Sequence, residues 1–313
     1  MLHRLLILSA HALKYQEIIE KAKLPEIETI ACTSLVQAAV VSGNVDIVFG
    51  EPGLIRSLLP DLPNLAWVQA TWAGVEPLLA PGLRRNYLLT NIRGVFGQLM
   101  SEFVFGYMLF HERRILQRLA SQKKQMWDNT PPGTLSGKTI GILGIGSIGA
   151  HLAQTAKHFG MQVRGFTRIS KDCQYVDKYY HPPKIIDFAD GLHYLVAVLP
   201  NTPQTVKIIN KDVLAALDPT ALFINVGRGS LVDEIALQRC LQANQIKGAV
   251  LDVLQNEPLA EGHPFWTMPN VNITGHTAAL SDPNDTAAVF IKNYQHFVQN
   301  EPLDNQVLFE RGY

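Results

Sequence analysis

Three glycines and three charged side chains in this sequence have the types and spacing that handle a phosphorylated cofactor and a small anion. Gly144, Gly146 and Gly149 stand in G-x-G-x-x-G order at the end of an apolar run, residues 139–144. Gly144 permits a tight turn, Gly146 leaves a pyrophosphate unobstructed, and Gly149 lets a helix lie close on the strand before it. A helix starting near Ser147 aims its free N–H groups and the positive end of its dipole at the phosphates. Many isolated glycine turns bind nothing. Here an apolar strand precedes, a helical pattern follows, and a second strand arrives at residues 163–167, so a dinucleotide site is expected.

The end of that second strand selects the dinucleotide. An acid there binds a ribose 2′-hydroxyl, whereas arginine suits a 2′-phosphate. The sequence carries Thr167, Arg168 and Lys171, with no acid before Asp172. A hydroxyl at 167 can donate to a phosphate oxygen and a guanidinium at 168 can pair with it twice. The bland alternative is that Arg168 and Lys171 are solvated loop charges. NADP(H) is expected over NAD(H), which stays possible.

Arg228 lies between Gly227 and Gly229 after the apolar run 222–226, where an α/β sheet presents ligands. Glycine neighbours let a substrate approach, and a guanidinium matches a carboxylate. Glu257 follows a further strand-like run, and His276 follows the run 271–274. Taken one at a time, each has an ordinary reading: a structural ion-pair arginine, a loop glutamate, a satisfied buried histidine.

Positioning these groups requires a regular scaffold. The chain has 313 residues, 47% hydrophobic and 17% charged, with zero formal net charge. That is room for two domains and a sizeable core. Without a basic cluster, neither nucleic acid nor an anionic membrane is expected as a partner. No apolar run approaches the ~20 residues of a membrane span. The apolar stretch at residues 5–8 is shorter than a secretory signal and reads as a first strand. Cys32, Cys173 and Cys240 are odd in number and far apart, which suits a reducing, cytoplasmic setting rather than disulfides or a metal site.

Apolar runs at 5–9, 28–31, 46–49 and 65–69 read as strands, with helices at 14–23 and 35–42 between them. A mixed stretch, 75–92, closes this first unit. Residues 97–119 read as one long helix without proline, and Pro131, Pro132 and Gly133 then break the pattern. A second alternating unit has strands at 139–144, 163–167, 194–199, 222–226, 249–253 and 271–274, and a last helix covers 285–300. Alternation of this kind predicts an α/β fold of two doubly wound parallel-sheet domains.

The ordered set of motifs resembles the D-isomer-specific 2-hydroxyacid dehydrogenase family over nearly the whole chain. It comprises the glycine turn 144–149, Leu-Pro-Asn-Thr-Pro-Gln-Thr at 199–205, Asn-Val-Gly-Arg-Gly at 225–229, Leu-Asp-Val at 251–253 with Glu-Pro-Leu at 257–259, His-Pro-Phe-Trp at 263–266, and Gly-His-Thr-Ala-Ala at 275–279. Within the family it is most similar to the glyoxylate/hydroxypyruvate reductase branch, where NADPH is commonly used. The resemblance implies a Rossmann-type cofactor domain (94–276) inserted into a flavodoxin-like substrate domain (1–93 and 277–313), a site in the cleft, and a homodimer with the helix after Gly94 at its interface. It implies that Arg228 holds the carboxylate of a small 2-keto acid, His276 gives a proton to the keto oxygen, and Glu257 orients His276. It also places Ser147, Ile148, Pro200, Thr205, Val226 and Asp252 along the cofactor, and Trp72, Ala73 and Gly74 at the carboxylate. Trp266 either caps the substrate pocket or sits in the core. Two departures stand out: Gly275 where proline usually precedes the histidine, which would loosen the loop, and Trp72 where a smaller residue is common. A dinucleotide-sensing binding protein of the same fold is the rival reading, and a formate or phosphite dehydrogenase stands behind both.

Overall fold

The computed structural model describes residues 2–169 and 173–311. Lys171 and Asp172, both weighed for cofactor choice, lie outside the described residues. The chain forms two compact units, one from residues up to 95 together with those from 281 on, the other from residues 96–280.

In the first unit five strands, β1 (His3–Leu8), β2 (Ile27–Cys32), β3 (Ile47–Gly50), β4 (Trp67–Ala70) and β5 (Leu88–Thr90), form a sheet in the order β2-β1-β3-β4-β5. Its paired strands are all parallel. Alternate residues face opposite layers, and both layers are covered. Leu6, Leu8, Val48 and Val68 point into one buried cluster, and Leu5, Ile7, Ile47, Phe49 and Trp67 into the other. Burial on both faces explains the continuous apolar runs in the sequence. Helices α1 (Ala12–Lys21), α2 (Leu35–Val41) and α3 (Pro52–Leu58) are the crossovers.

The second unit begins with helices α4 (Gly97–Glu112) and α5 (Ile115–Lys123). Its strands are β6 (Thr139–Leu143), β7 (Gln162–Phe166), β8 (Lys178–Tyr180), β9 (Tyr194–Ala197), β10 (Leu222–Asn225), β11 (Gly248–Leu251) and β12 (Val271–Ile273). They form one parallel sheet ordered β12-β11-β10-β9-β6-β7-β8. The order reverses direction at β6, the switch point at which open α/β sheets bind ligands beyond their carboxyl ends. Helices α6 (Ser147–His158), α7 (Ile185–Ala189), α8 (Lys211–Ala215) and α9 (Glu234–Gln242) connect these strands. A final helix, α10 (Pro283–Val298), returns to the first unit, where Phe290 stacks on Trp67 with ring centroids 5.2 Å apart.

Two doubly wound parallel sheets are thus as expected, but two details differ. The first is that β5 and β8 were not foreseen. Each is three residues long and lies at a sheet edge, where partial exposure dilutes the apolar signal. The second is that residues 97–119 are not one helix. Arg114 takes a left-handed φ of 54°, and α5 starts afresh after it. The Glu112 carbonyl, which a continuing helix would offer to residue 116, instead accepts the Gly133 N–H at 2.9 Å. The Glu112 carboxylate is drawn to Lys138 and to the Tyr194 hydroxyl. Among the described residues, no helix is long and apolar enough to cross a membrane.

Candidate active site

The glycine turn follows β6 directly. Gly144 has φ 106°, a conformation that side chains rarely adopt, and its N–H donates to the Phe166 carbonyl at 2.9 Å. A Cβ at Gly149 would stand 2.0 Å from the Gly144 carbonyl oxygen, so α6 can pack here only on glycine. A Cβ at Gly146 would meet nothing within 4 Å. The two glycines therefore differ physically. Gly149 is required by the fold, while Gly146 leaves open space above a helix N-terminus, which suits a pyrophosphate. Ser147 is exposed at the helix start, and Ile148 packs partly against the core.

At the end of β7, the Thr167 N–H donates to the Tyr180 carbonyl at 3.1 Å and the Thr167 carbonyl contacts His181 Nδ1 at 2.6 Å. This loop start is thereby tied to the edge strand, and Arg168 follows as an exposed residue. Beyond β9, the Thr205 hydroxyl donates to the Pro200 carbonyl at 2.7 Å and accepts the Thr202 N–H at 2.9 Å, so Thr205 shapes the 200–205 turn. Val226 is buried in the core and can present only backbone to a ligand.

Asn225, fully buried at the end of β10, brackets the next turn. Its Oδ1 accepts the Gly227 N–H at 3.1 Å and its Nδ2 donates to the Arg228 carbonyl at 3.0 Å. Arg228 is extended, with φ −141° and ψ 146°, and its guanidinium donates to the Gly227 carbonyl at 2.7 Å. An asparagine closing its own turn two residues on is a signal readable in the sequence.

Glu257 and His276 come together from the loops after β11 and β12. Glu257 Oε2 lies 2.9 Å from His276 Nδ1, and Oε1 accepts the Leu254 N–H at 2.9 Å. The side chains are 55% exposed at His276 and 38% at Glu257, so the pair faces outward and the imidazole is open to a ligand. His276 has φ 58°, a left-handed conformation that costs a non-glycine residue roughly 1–3 kcal/mol.

Asp252, only 2% exposed, offsets that strain. Its carbonyl accepts the His276 N–H at 2.8 Å. Its Oδ1 accepts the Thr274 hydroxyl at 2.5 Å and the Thr277 N–H at 2.8 Å, and the Ala278 N–H reaches both carboxylate oxygens at 3.1–3.2 Å. Gly275 within this loop has no close neighbour around its Cβ position and no positive φ. The loop is thus fixed from the β11 side, whatever freedom Gly275 adds. Thr274 had not been singled out from sequence.

Trp266 is 54% exposed, with its indole N–H donating to the Ala260 carbonyl at 3.0 Å, so it is not a core tryptophan. In the first unit, Trp72 is 47% exposed after β4. The Trp72 carbonyl accepts the Ile92 N–H at 3.2 Å, and the Ala73 carbonyl accepts Asn91 Nδ2 at 2.6 Å. Gly74 follows in the same loop. Arg228, Glu257, His276, Asp252 and the glycine turn all stand at carboxyl ends of one sheet, whereas residues 72–74 belong to the other unit.

This arrangement has known relatives. Residues 105–278 match the family model described as D-isomer specific 2-hydroxyacid dehydrogenase, NAD binding domain. The glyoxylate/hydroxypyruvate reductase A of Serratia proteamaculans (strain 568) is 36% identical over 237 residues, covering 73% of this chain and 75% of that protein. A D-isomer specific 2-hydroxyacid dehydrogenase family protein from Aeromonas salmonicida subsp. salmonicida A449 superposes with a TM-score of 0.93 at 37% identity, over 99% of this chain and all of the other. The NADPH-dependent glyoxylate/hydroxypyruvate reductase from Sinorhizobium meliloti, solved in complex with NADP and sulfate, gives 0.88 at 27% identity, over 99% of this chain and all of the other. With the family model covering more than half of its length, the chain belongs to the D-isomer specific 2-hydroxyacid dehydrogenase family and is a nicotinamide-dependent 2-hydroxyacid oxidoreductase.

Proposed function

We propose that this protein is an NADPH-preferring reductase that converts a small 2-keto acid, glyoxylate or hydroxypyruvate, to the corresponding alcohol, in the D configuration where a stereocentre forms. The observation that carries this reading is the His276–Glu257 pair, 2.9 Å apart and outward-facing, at the carboxyl end of the same sheet as the glycine turn. When bound beside the glycine turn, a reduced dinucleotide would supply a hydride for the keto carbon. His276 donates Nδ1–H to Glu257, which leaves Nε2 to deliver a proton to the keto oxygen. Glu257 orients the ring, and Arg228 binds the substrate carboxylate and polarises the keto group.

Residues 94–276 act as the dinucleotide-binding domain in this reading, and residues 1–93 with 277–313 as the substrate domain. The glycine turn, Pro200, Thr205 and Val226 shape the cofactor path. Thr167 and Arg168 take the 2′-phosphate. The names of the relatives support this choice, since the Serratia protein is called a glyoxylate/hydroxypyruvate reductase and the Sinorhizobium structure holds NADP. Cytoplasmic residence and a homodimer belong to the same proposal. The exposed Leu116 and Leu119 on α5, with Met126 and the 95% exposed Trp127, supply apolar surface for self-association.

Steady-state kinetics with NADPH and with NADH, on the wild type and Arg168→Ala, test the cofactor assignment. The expected result is a NADPH preference that falls about tenfold in the variant, a charged hydrogen bond being worth roughly 1.5–3 kcal/mol. An unchanged ratio would remove Arg168 from the phosphate site.

A further inference from the structure

Glu257 reaches His276 from residues 252–257, a loop without regular secondary structure. Its grip on the rest of the domain is specific. The Gln255 N–H donates to Glu234 Oε1 at 2.7 Å, and Gln255 Nε2 donates to the Val232 carbonyl at 2.9 Å. Glu234 is the first residue of α9, and the cap Asp233 fixes that helix start by accepting the Ala236 N–H at 3.1 Å. The neighbouring Leu254 N–H holds Glu257 Oε1, which leaves Oε2 for His276.

The same peptide is also held by close packing. A Cβ at Gly229 would stand 1.9 Å from the Leu254 carbonyl carbon and 2.4 Å from the Gln255 nitrogen. The turn that carries Arg228 therefore lies flat against the loop that carries Glu257. The Leu254–Gln255 peptide thus touches this turn and is hydrogen-bonded to the start of α9.

We propose that Glu234 is a positioning residue for the His276–Glu257 pair. It acts through the Gln255 N–H to keep the Glu257 carboxylate within reach of the imidazole, while Gly229 sets the spacing from Arg228. The inference rests on the reading of His276 and Glu257 as the proton-handling pair.

The test is steady-state reduction of glyoxylate by NADPH with Glu234→Ala, Glu234→Gln, Glu257→Ala and the Glu234→Ala/Glu257→Ala double variant, each with a thermal melt. Glutamine keeps a carbonyl acceptor for the Gln255 N–H and alanine does not. Glu234→Ala is expected to lower kcat about three- to tenfold with the KM for NADPH unchanged, the loss that one hydrogen bond carries. Glu234→Gln is expected within about twofold of wild type, and Glu234→Ala is expected to cost nothing more once Glu257 is gone. Equal losses in the alanine and glutamine variants, full additivity in the double variant, or an unchanged kcat would each overturn the proposal. Wild-type kinetics from Glu257→Ala, or no turnover by the wild type, would overturn the functional reading and this inference with it.

Discussion

Replacing Asp252 with asparagine probes how the His276 loop is held. The carboxylate accepts from the Thr274 hydroxyl and from the Thr277 and Ala278 N–H groups, and the residue is 2% exposed, so these are buried, charge-assisted bonds. Asparagine retains one acceptor oxygen and turns an NH2 group toward the Ala278 N–H. Charged bonds are roughly twice as strong as neutral ones. The Ala278 N–H keeps its 3.2 Å bond to the remaining oxygen, so three bonds weaken by about 0.5–1 kcal/mol each, a loss of roughly 1.5–3 kcal/mol. The left-handed His276 conformation, itself costing roughly 1–3 kcal/mol, favours release of the loop. A misplaced proton donor lowers kcat/KM for the keto acid, by about tenfold at the low end of that range. Stopped-flow or steady-state assays with glyoxylate, alongside NADPH binding by fluorescence titration, measure both effects. Activity within about threefold of wild type would refute the clamp. A loss confined to NADPH affinity would instead assign Asp252 to the cofactor.

The two glycines of the cofactor turn are expected to separate. Gly146→Ala has open space around its Cβ and should keep the wild-type Tm while weakening NADPH binding at least tenfold. Gly149→Ala places a Cβ 2.0 Å from a backbone oxygen and should lower stability by about 1–3 kcal/mol in denaturant melts. Acid should weaken the fold through the α4 terminus. Burial, and Lys247 nearby, push His111 below its ordinary 6.5, so stability is full above that pH and falls as the unfolded chain takes up the proton. Burial also pushes the Glu112 carboxyl up, but hydrogen bonds from Lys138 and Tyr194 outweigh it and hold the group below 4.5, so its contribution is present above 4.5 and lost on further acidification. Denaturant titrations from pH 8 to about pH 3 should show this decline, and Glu112→Gln should flatten its acid end; an unchanged slope would dismiss the cluster.

Most of the scaffold was legible because buried parallel strands must be apolar on both faces. Runs such as residues 5–8 and 194–197 leave little alternative. The glycine turn was legible because only glycine satisfies the φ of 106° at Gly144 and the close packing at Gly149. Edge strands β5 and β8 carry too few buried residues to announce themselves. The break at Arg114 was hidden because it is made by distant partners, Gly133, Lys138 and Tyr194, acting on Glu112. Arg228, Glu257 and His276 could be named from their motifs. Their supports, Asp252 with Thr274 and Glu234 with Gln255, depend on which N–H groups a folded loop turns inward, and residue type alone does not specify that.

In the proposed reaction His276 delivers a proton to the keto oxygen of an acid held beside NADPH. This step is tested most directly by following NADPH absorbance at 340 nm, a wavelength at which only the reduced nicotinamide absorbs, after glyoxylate or hydroxypyruvate is added to wild type and to His276→Ala. The expected result is rapid loss of absorbance with wild type and a rate at least ~100-fold lower in the variant, at unchanged NADPH affinity. Tight NADPH binding without turnover of either acid would contradict the account and mark the protein as a dinucleotide-binding sensor instead.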